Sequence, residues 1–216
     1  MKTIFWSVDT QNDFMNKAGK LYVQGAEEIK KNLKKITDFA KKNKIKVVST
    51  GDYHTSISKE ISKFPDFKTT FPDHCMAGDE GMEFIPETNP TQWKEDNYVI
   101  IDYTEKEFPI EKLNRSRNII LYKDHFNIFD EEAGNPWALN TLALFNPDTV
   151  IVYGVATNVC VDYAVLGLIE ELCTVIVIKD AIKELPGCDV EAIYKKWRDL
   201  GAKLIDTNTL LTAGVQ

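Results

Sequence analysis

Short apolar, β-branched runs alternate with helix-patterned segments along most of this chain, and few folds satisfy that alternation. The strand-like runs lie at 3–8, 45–50, 118–122, 149–153 and 174–178, with a shorter one at 202–205. Their near-continuous apolar character marks strands covered on both faces rather than half-solvated ones. Between them the spacing turns helical. Ile29, Leu33, Ile36 and Ala40 mark one face of a first helix; Ala138, Thr141, Leu142 and Phe145 mark another. Residues 159–172 are apolar nearly all round, which predicts a buried helix. Val190, Ile193, Tyr194 and Trp197 mark the last one, after Pro186-Gly187. Strands joined by crossover helices predict an α/β fold, three α/β/α layers around a mostly parallel six-stranded sheet. With no repeat or linker to divide it, the chain is expected to be one domain over residues 1–216.

One stretch breaks the rhythm. Residues 52–117 carry Pro65, Pro72, Pro86, Pro90 and Pro109, scattered aromatics and only one strand-like run, 98–103. A connection that long in a compact domain is expected to be functional. His54 and His74 lie in it.

Charge and cysteine usage exclude some classes of partner. A net charge of −7 argues against nucleic acid or an anionic membrane as partner. The lysines at 30, 31, 34, 35, 41, 42 and 44 read as the solvated face of the first helix. No apolar run reaches membrane-spanning length, and the N-terminus enters a strand without a signal-peptide pattern. Cys75, Cys160, Cys173 and Cys188 have no C-x-x-C spacing, so the expectation is reduced thiols in a cytoplasmic protein.

Open parallel sheets bind ligands outside the carboxyl ends of their strands. Asp9 ends the first strand, Asp52 follows the second, Lys123 ends the run 118–122, and Cys160 follows the run 149–153. Singly each has a bland reading: a cap, a solvated strand end, an apolar filler for the cysteine. Together they allow amide hydrolysis through a covalent intermediate. Cys160 falls in the first turn of a helix, where the dipole and unpaired N–H groups favour thiolate over thiol. Asp9 would accept its proton, and Lys123 would hold Asp9 and lower the thiol pKa further. His125, two residues past Lys123, is a less favoured base.

Asp9 with Gln11-Asn12-Asp13-Phe14, then Lys123, then Gly154-Val155-Ala156-Thr157-Asn158-Val159-Cys160-Val161, resembles the isochorismatase-like cysteine hydrolases, and among them the nicotinamidases. The resemblance runs nearly the whole chain, including Lys179-Asp180-Ala181. It implies a catalytic triad of Asp9, Lys123 and Cys160. True isochorismatases lack the cysteine, which counts against that activity here. It also implies a cis peptide at Val155–Ala156 that aims the Ala156 and Cys160 N–H groups into an oxyanion hole. Phe14, Val155 and Ala156 are the expected substrate contacts.

Asp52-x-His54 with His74 is a carboxylate and two imidazoles, a common set for a divalent ion with open positions. Alone the motif is weak, because surface histidines give it by chance. The run Phe71-Pro72-Asp73-His74-Cys75-Met76-Ala77-Gly78-Asp79-Glu80-Gly81-Met82-Glu83-Phe84 is similar to the nicotinamidase pattern F/W-P-x-H-C-x-x-G-x-x-G-x-E-F. That resemblance implies one metal ion on Asp52, His54 and His74, zinc first, with manganese or iron as alternatives. It also implies that the ion binds the pyridine nitrogen and orients the ring. There are two departures. Many nicotinamidases have a second His and a Ser soon after D-x-H, where this chain has Ser58 and Glu60; Glu60 is read as a solvated loop residue in preference to a further ligand. Residues 85–117 form an insertion-like excursion, in which Trp93, Tyr98, Tyr103 and Phe108 offer a lid or a subunit contact.

The leading expectation is therefore a homo-oligomeric nicotinamidase acting on a small amide. The alternatives are another small-amide or ureide hydrolase of the superfamily, a zinc-water hydrolase with a structural Cys160, and a non-catalytic binding protein on the same fold.

Overall fold

The computed structural model of the chain describes residues 2–92 and 98–214, so Trp93 lies outside the described residues. Among the described residues seven strands form one sheet: β1 Thr3–Val8, β2 Val47–Asp52, β3 Tyr98–Ile101, β4 Asn118–Lys123, β5 Thr149–Val155, β6 Thr174–Lys183 and β7 Lys203–Ile205. The order across the sheet is β3-β4-β2-β1-β5-β6-β7, and every neighbouring pair is parallel. The expected count of six is thus corrected to seven. The added strand is the 98–103 run assigned above to the excursion. It pairs with β4 at the sheet edge, and its alternating exposure (Tyr98 and Ile100 out, Val99 and Ile101 in) is what an edge position gives.

Along β1 the two-residue period of a strand sends Ile4, Trp6 and Val8 to one face and Phe5 to the other, and all four are buried. The first face is covered by α4 Ala138–Phe145, α5 Cys160–Glu170 and α6 Val190–Asp199, with Phe145, Val165 and Trp197 in its core. The second is covered by α2 Ala26–Lys42 and α7 Thr207–Ala213, with Leu33, Ile36 and Leu210 in its core. Two short helices, α1 Asn12–Met15 and α3 Ile110–Arg115, complete the set. A fully buried side chain such as Leu33 is worth about 1.5–3 kcal/mol against its exposed state, so the inward stripe of α2 is ample to hold that helix. Helix α5 is less enclosed than its composition suggested: Val161, Ala164, Val165 and Leu168 pack inward, but Tyr163 is exposed.

From β1 the chain moves through β2, β3 and β4 on one side, then crosses to β5 on the other. The reversal leaves a crevice at the carboxyl ends of β1 and β5, where parallel sheets bind ligands. At that end Gly154 lies opposite Val8, with φ of 122°. A Cβ there would come within 2.0 Å of the Val8 carbonyl oxygen. Only glycine permits the backbones to approach so closely.

Candidate active site

Three strand ends and one helix start converge on the crevice. Asp9 follows β1, Asp52 and Lys123 face each other in the β2–β4 register, and Cys160 opens α5. The motif around residues 11–14 explains how these ends are held. Gln11 Nε2 donates to the carbonyls of Asp52 (2.7 Å) and Met82 (2.8 Å), while its Oε1 accepts from the Asp52 N–H at 2.8 Å. Asp13 Oδ2 accepts from the Cys75 N–H at 2.7 Å, fixing the residue after His74. Gly81 leaves room for that carboxylate, since a Cβ there would meet Asp13 Oδ2 at 2.1 Å.

Lys123 is fully buried and ion-paired to two carboxylates, Asp9 Oδ2 at 3.0 Å and Asp52 Oδ1. Its Nζ also lies 3.9 Å from Cys160 Sγ. Asp9 Oδ1 accepts from Thr50 Oγ1 at 2.6 Å. Burial acts to lower the Lys123 pKa, but Asp52 and Asp9 outweigh it and hold the ammonium charged. Burial acts to raise that of Asp52, yet Lys123 and the two neighbouring imidazoles keep it ionised well below the usual carboxylate range. Asp9 goes the other way: burial, reinforced by Asp52, outweighs Lys123 and pushes its carboxyl up. The Cys160 thiol also rises, through burial first and then the Asp9 and Asp52 charges, against the pull of Lys123. This corrects the expected preference for thiolate. The helix start supplies only partial charge, whereas the sulfur is buried beside two carboxylates. The Val155–Ala156 peptide is cis, as the resemblance implied.

Asp52, His54, Glu60 and His74 each bring a ligand atom within 4.8 Å of the others, and all four are buried. His54 Nε2 lies 3.7 Å, and His74 Nε2 3.6 Å, from Asp52 Oδ2. Neither Nε2 has a hydrogen-bond partner among the described residues. The opposite nitrogens are both engaged, His54 Nδ1 with Asp124 Oδ1 and His74 Nδ1 with the Pro72 carbonyl, each at 2.8 Å. Two buried imidazole nitrogens turned inward toward carboxylates, with nothing to bond, suit a divalent cation. Glu60 corrects the solvated reading: it is buried, its Oε1 lies 3.9 Å from His74 Nε2, and its Oε2 accepts from the Phe126 N–H at 3.0 Å.

The pocket above these groups is a small, partly enclosed and mostly apolar cleft. Phe14, Val155 and Ala156 line it, together with Asp52, Glu60, His74 and Cys160. Phe71, Phe126 and Leu185, not singled out in the sequence, complete an apolar wall. His125 stands apart, its ring 3.8 Å from that of Phe126 and its Nδ1 accepting from the Asn127 N–H. Of the proposed lid aromatics, Phe108 stacks on Trp137, Tyr98 projects from edge strand β3, and neither Tyr103 nor these two line the pocket.

The family model for the isochorismatase domain matches residues 3–109 and, in a second stretch, 109–209. The chain belongs to the isochorismatase family. It is similar to the nicotinamidase/pyrazinamidase of Mycobacterium tuberculosis, with 35% identity over 83 residues that cover 37% of this chain and 41% of that relative. Two solved structures illustrate the shared family fold. The pyrazinamidase of Pyrococcus horikoshii in complex with zinc gives a TM-score of 0.70 at 21% identity, covering 95% of this chain and 99% of that one. The N-carbamoylsarcosine amidase of Thermoplasma acidophilum gives 0.71 at 20%, covering 96% and 98%. Among the described residues no helix is long and apolar enough to cross a membrane.

Proposed function

We propose that this protein is an amidohydrolase that converts nicotinamide into nicotinic acid and ammonia through a thioester on Cys160. The observation that carries the reading is one pocket lined both by Cys160, whose sulfur faces the buried Lys123–Asp9 pair, and by Asp52, Glu60 and His74 of the metal-ligating quartet. Cys160 Sγ attacks the amide carbonyl, and Asp9 takes the thiol proton. The Ala156 and Cys160 N–H groups hold the carbonyl oxygen as it gains charge. Asp9 then gives its proton to the leaving nitrogen, ammonia departs, and the acyl group remains on sulfur. Water attacks the thioester, Asp9 accepts its proton and returns it to the departing sulfur, and the acid is released. Lys123 keeps Asp9 in place and offsets the negative charge that builds between base and nucleophile. Asp52, His54, His74 and Glu60 would hold a divalent ion, with zinc the first candidate, as in the zinc complex of the Pyrococcus pyrazinamidase; when bound, it supplies an anchor for the pyridine nitrogen.

The amidase relative from Thermoplasma supports a second reading, a ureide substrate. The pocket weighs against it. An N-carbamoyl amino acid carries a carboxylate, and among the described residues the pocket wall presents Asp52 and Glu60 with no Arg or Lys. A neutral aromatic amide suits the phenylalanine wall better. A structural Cys160 is disfavoured because its sulfur faces Lys123 beside the pocket. The test is ammonia release from zinc-loaded protein given nicotinamide, pyrazinamide and an N-carbamoyl amino acid. Turnover of nicotinamide that disappears in Cys160→Ala is expected; preference for the carbamoyl substrate would overturn the assignment. A cytoplasmic homo-oligomer serving NAD salvage is part of the same proposal.

A further inference from the structure

The two histidines of the quartet are held differently, and the difference points to a residue outside it. The Nδ1 of His74 meets a backbone carbonyl, that of Pro72. The Nδ1 of His54 meets a side chain, the carboxylate of Asp124, at 2.8 Å. His54 is fully buried and Asp124 partly so, at 19% side-chain exposure. The strand register explains how they meet. Asp52 pairs with Lys123, and the Tyr53 N–H donates to the Lys123 carbonyl at 3.0 Å, which holds the two segments side by side past the strand ends, where His54 comes two residues after Asp52 and Asp124 one after Lys123. The consecutive residues Lys123 and Asp124 therefore engage Asp52 and His54 respectively. Asp124 is itself held by its N–H, which donates to the Ala133 carbonyl at 3.0 Å.

We propose that Asp124 is a positioning residue of the metal site, which fixes the His54 ring and its tautomer so that Nε2 presents its lone pair to the ion. A His54 ring that ligates an ion is neutral, and a carboxylate can only accept, so its one ring proton then sits on Nδ1 and Nε2 is left free to ligate. The carboxylate also makes the imidazole a stronger ligand, as outer partners of metal-bound histidines do. Loss of such a partner typically weakens metal binding about 10- to 100-fold. Ion affinity then depends on a residue one position past Lys123 that lies outside the quartet.

The inference rests on reading the quartet as a metal site, and the experiment separates the two. Zinc affinity of metal-free wild type, Asp124→Asn and Asp124→Ala is measured by competition with a chromophoric chelator. Melting of each metal-free protein is followed in parallel. The expected result is a zinc dissociation constant raised about 10-fold or more in both variants, more in Ala than in Asn, which keeps an acceptor but not the charge. The metal-free melting temperature of Asp124→Asn should match wild type. Unchanged zinc affinity in Asp124→Asn and Asp124→Ala overturns the role of Asp124. A lowered metal-free melting temperature with unchanged affinity overturns it too, in favour of a structural role. Wild type that binds no zinc overturns the metal site itself.

Discussion

Gly154→Ala tests whether the crevice is built as described, because the steric conflict is local and its size can be worked out. The added Cβ would lie 2.0 Å from the Val8 carbonyl oxygen, a backbone atom that no side-chain rotation can move. Relief to an ordinary contact of at least 3.4 Å requires β1 and β5 to part by about 1.4 Å at their carboxyl ends. Overpacking of this kind costs about 1–3 kcal/mol. A non-glycine residue held at φ of 122° adds about 1–3 kcal/mol. The sum, roughly 2–6 kcal/mol, is a large part of the 5–15 kcal/mol that holds a typical domain. The displacement falls on Asp9, which follows Val8, and on the Val155–Ala156 turn that leads to Cys160. A 1 Å misplacement of reacting groups costs about 100-fold in rate. Urea denaturation and ammonia release, measured on the same preparation, give both numbers. Gly201→Ala is the control, since Gly201 has φ of 97° but open space around its Cβ position. That control should show backbone strain alone, with turnover intact. If Gly154→Ala cost no more than Gly201→Ala and kept its turnover within about threefold, the close approach of β1 and β5 would be refuted.

Cys160→Ala should lower kcat by at least about 10⁴-fold while zinc content and the circular dichroism spectrum stay as in wild type; turnover above a hundredth of wild type would rule out the thioester route. Asp9→Asn should be nearly as severe, because an amide cannot accept the thiol proton, and retained activity would send the search for a base to His125. Chelation, or His54→Ala, should abolish nicotinamide turnover yet leave iodoacetamide alkylation of Cys160 at a similar rate, since the thiol's neighbours Lys123 and Asp9 remain. In metal-free protein, burial and the Asp52 charge push Glu60 up to about 8, and His54 is held near 9 because Asp124 and Asp52 overcome its burial. Both groups then bind more protons folded than unfolded across the interval above their ordinary values of about 4.3 and 6.5. The urea midpoint of metal-free protein should therefore fall as pH rises from about 5 to 9, and zinc, which displaces those protons, should bind more tightly over the same range; a midpoint that rises would refute the assignment.

The central strands were legible because burial on both faces leaves an unbroken apolar run, and residues 3–8 match β1 end to end. Strand β3 shows in the sequence as the strand-like run 98–103 but not as a member of the sheet, for the opposite reason. An edge strand only four residues long, half exposed, carries little of that signal, and its parallel pairing with β4 spans too many residues to be visible locally. The site divides the same way. Asp9, Asp52, Lys123 and Cys160 could be placed because strand ends of a parallel sheet share one edge. Glu60 could not, since its burial depends on the 54–76 loop folding back through the His54–Met76 and Ile61–Phe71 bridges. Asp124 gave no signal at all. Its importance lies in the Asp52–Lys123 register, and register is a property of two strands that no single stretch of sequence contains.

The thiol is where sequence reasoning and physical environment part most clearly. Position at a helix start suggested a standing thiolate, but burial and two carboxylates keep the proton on sulfur. The same burial raises Asp9, so nucleophile and base shift in one direction together. An acceptor raised toward its donor takes the proton more readily than an ordinary carboxylate would. The proposed reaction therefore needs no free thiolate at rest: proton transfer to Asp9 accompanies attack on the carbonyl. Lys123 suits that step, 3.0 Å from Asp9 Oδ2 and 3.9 Å from Sγ, because its charge favours the anion whichever of the two groups carries it.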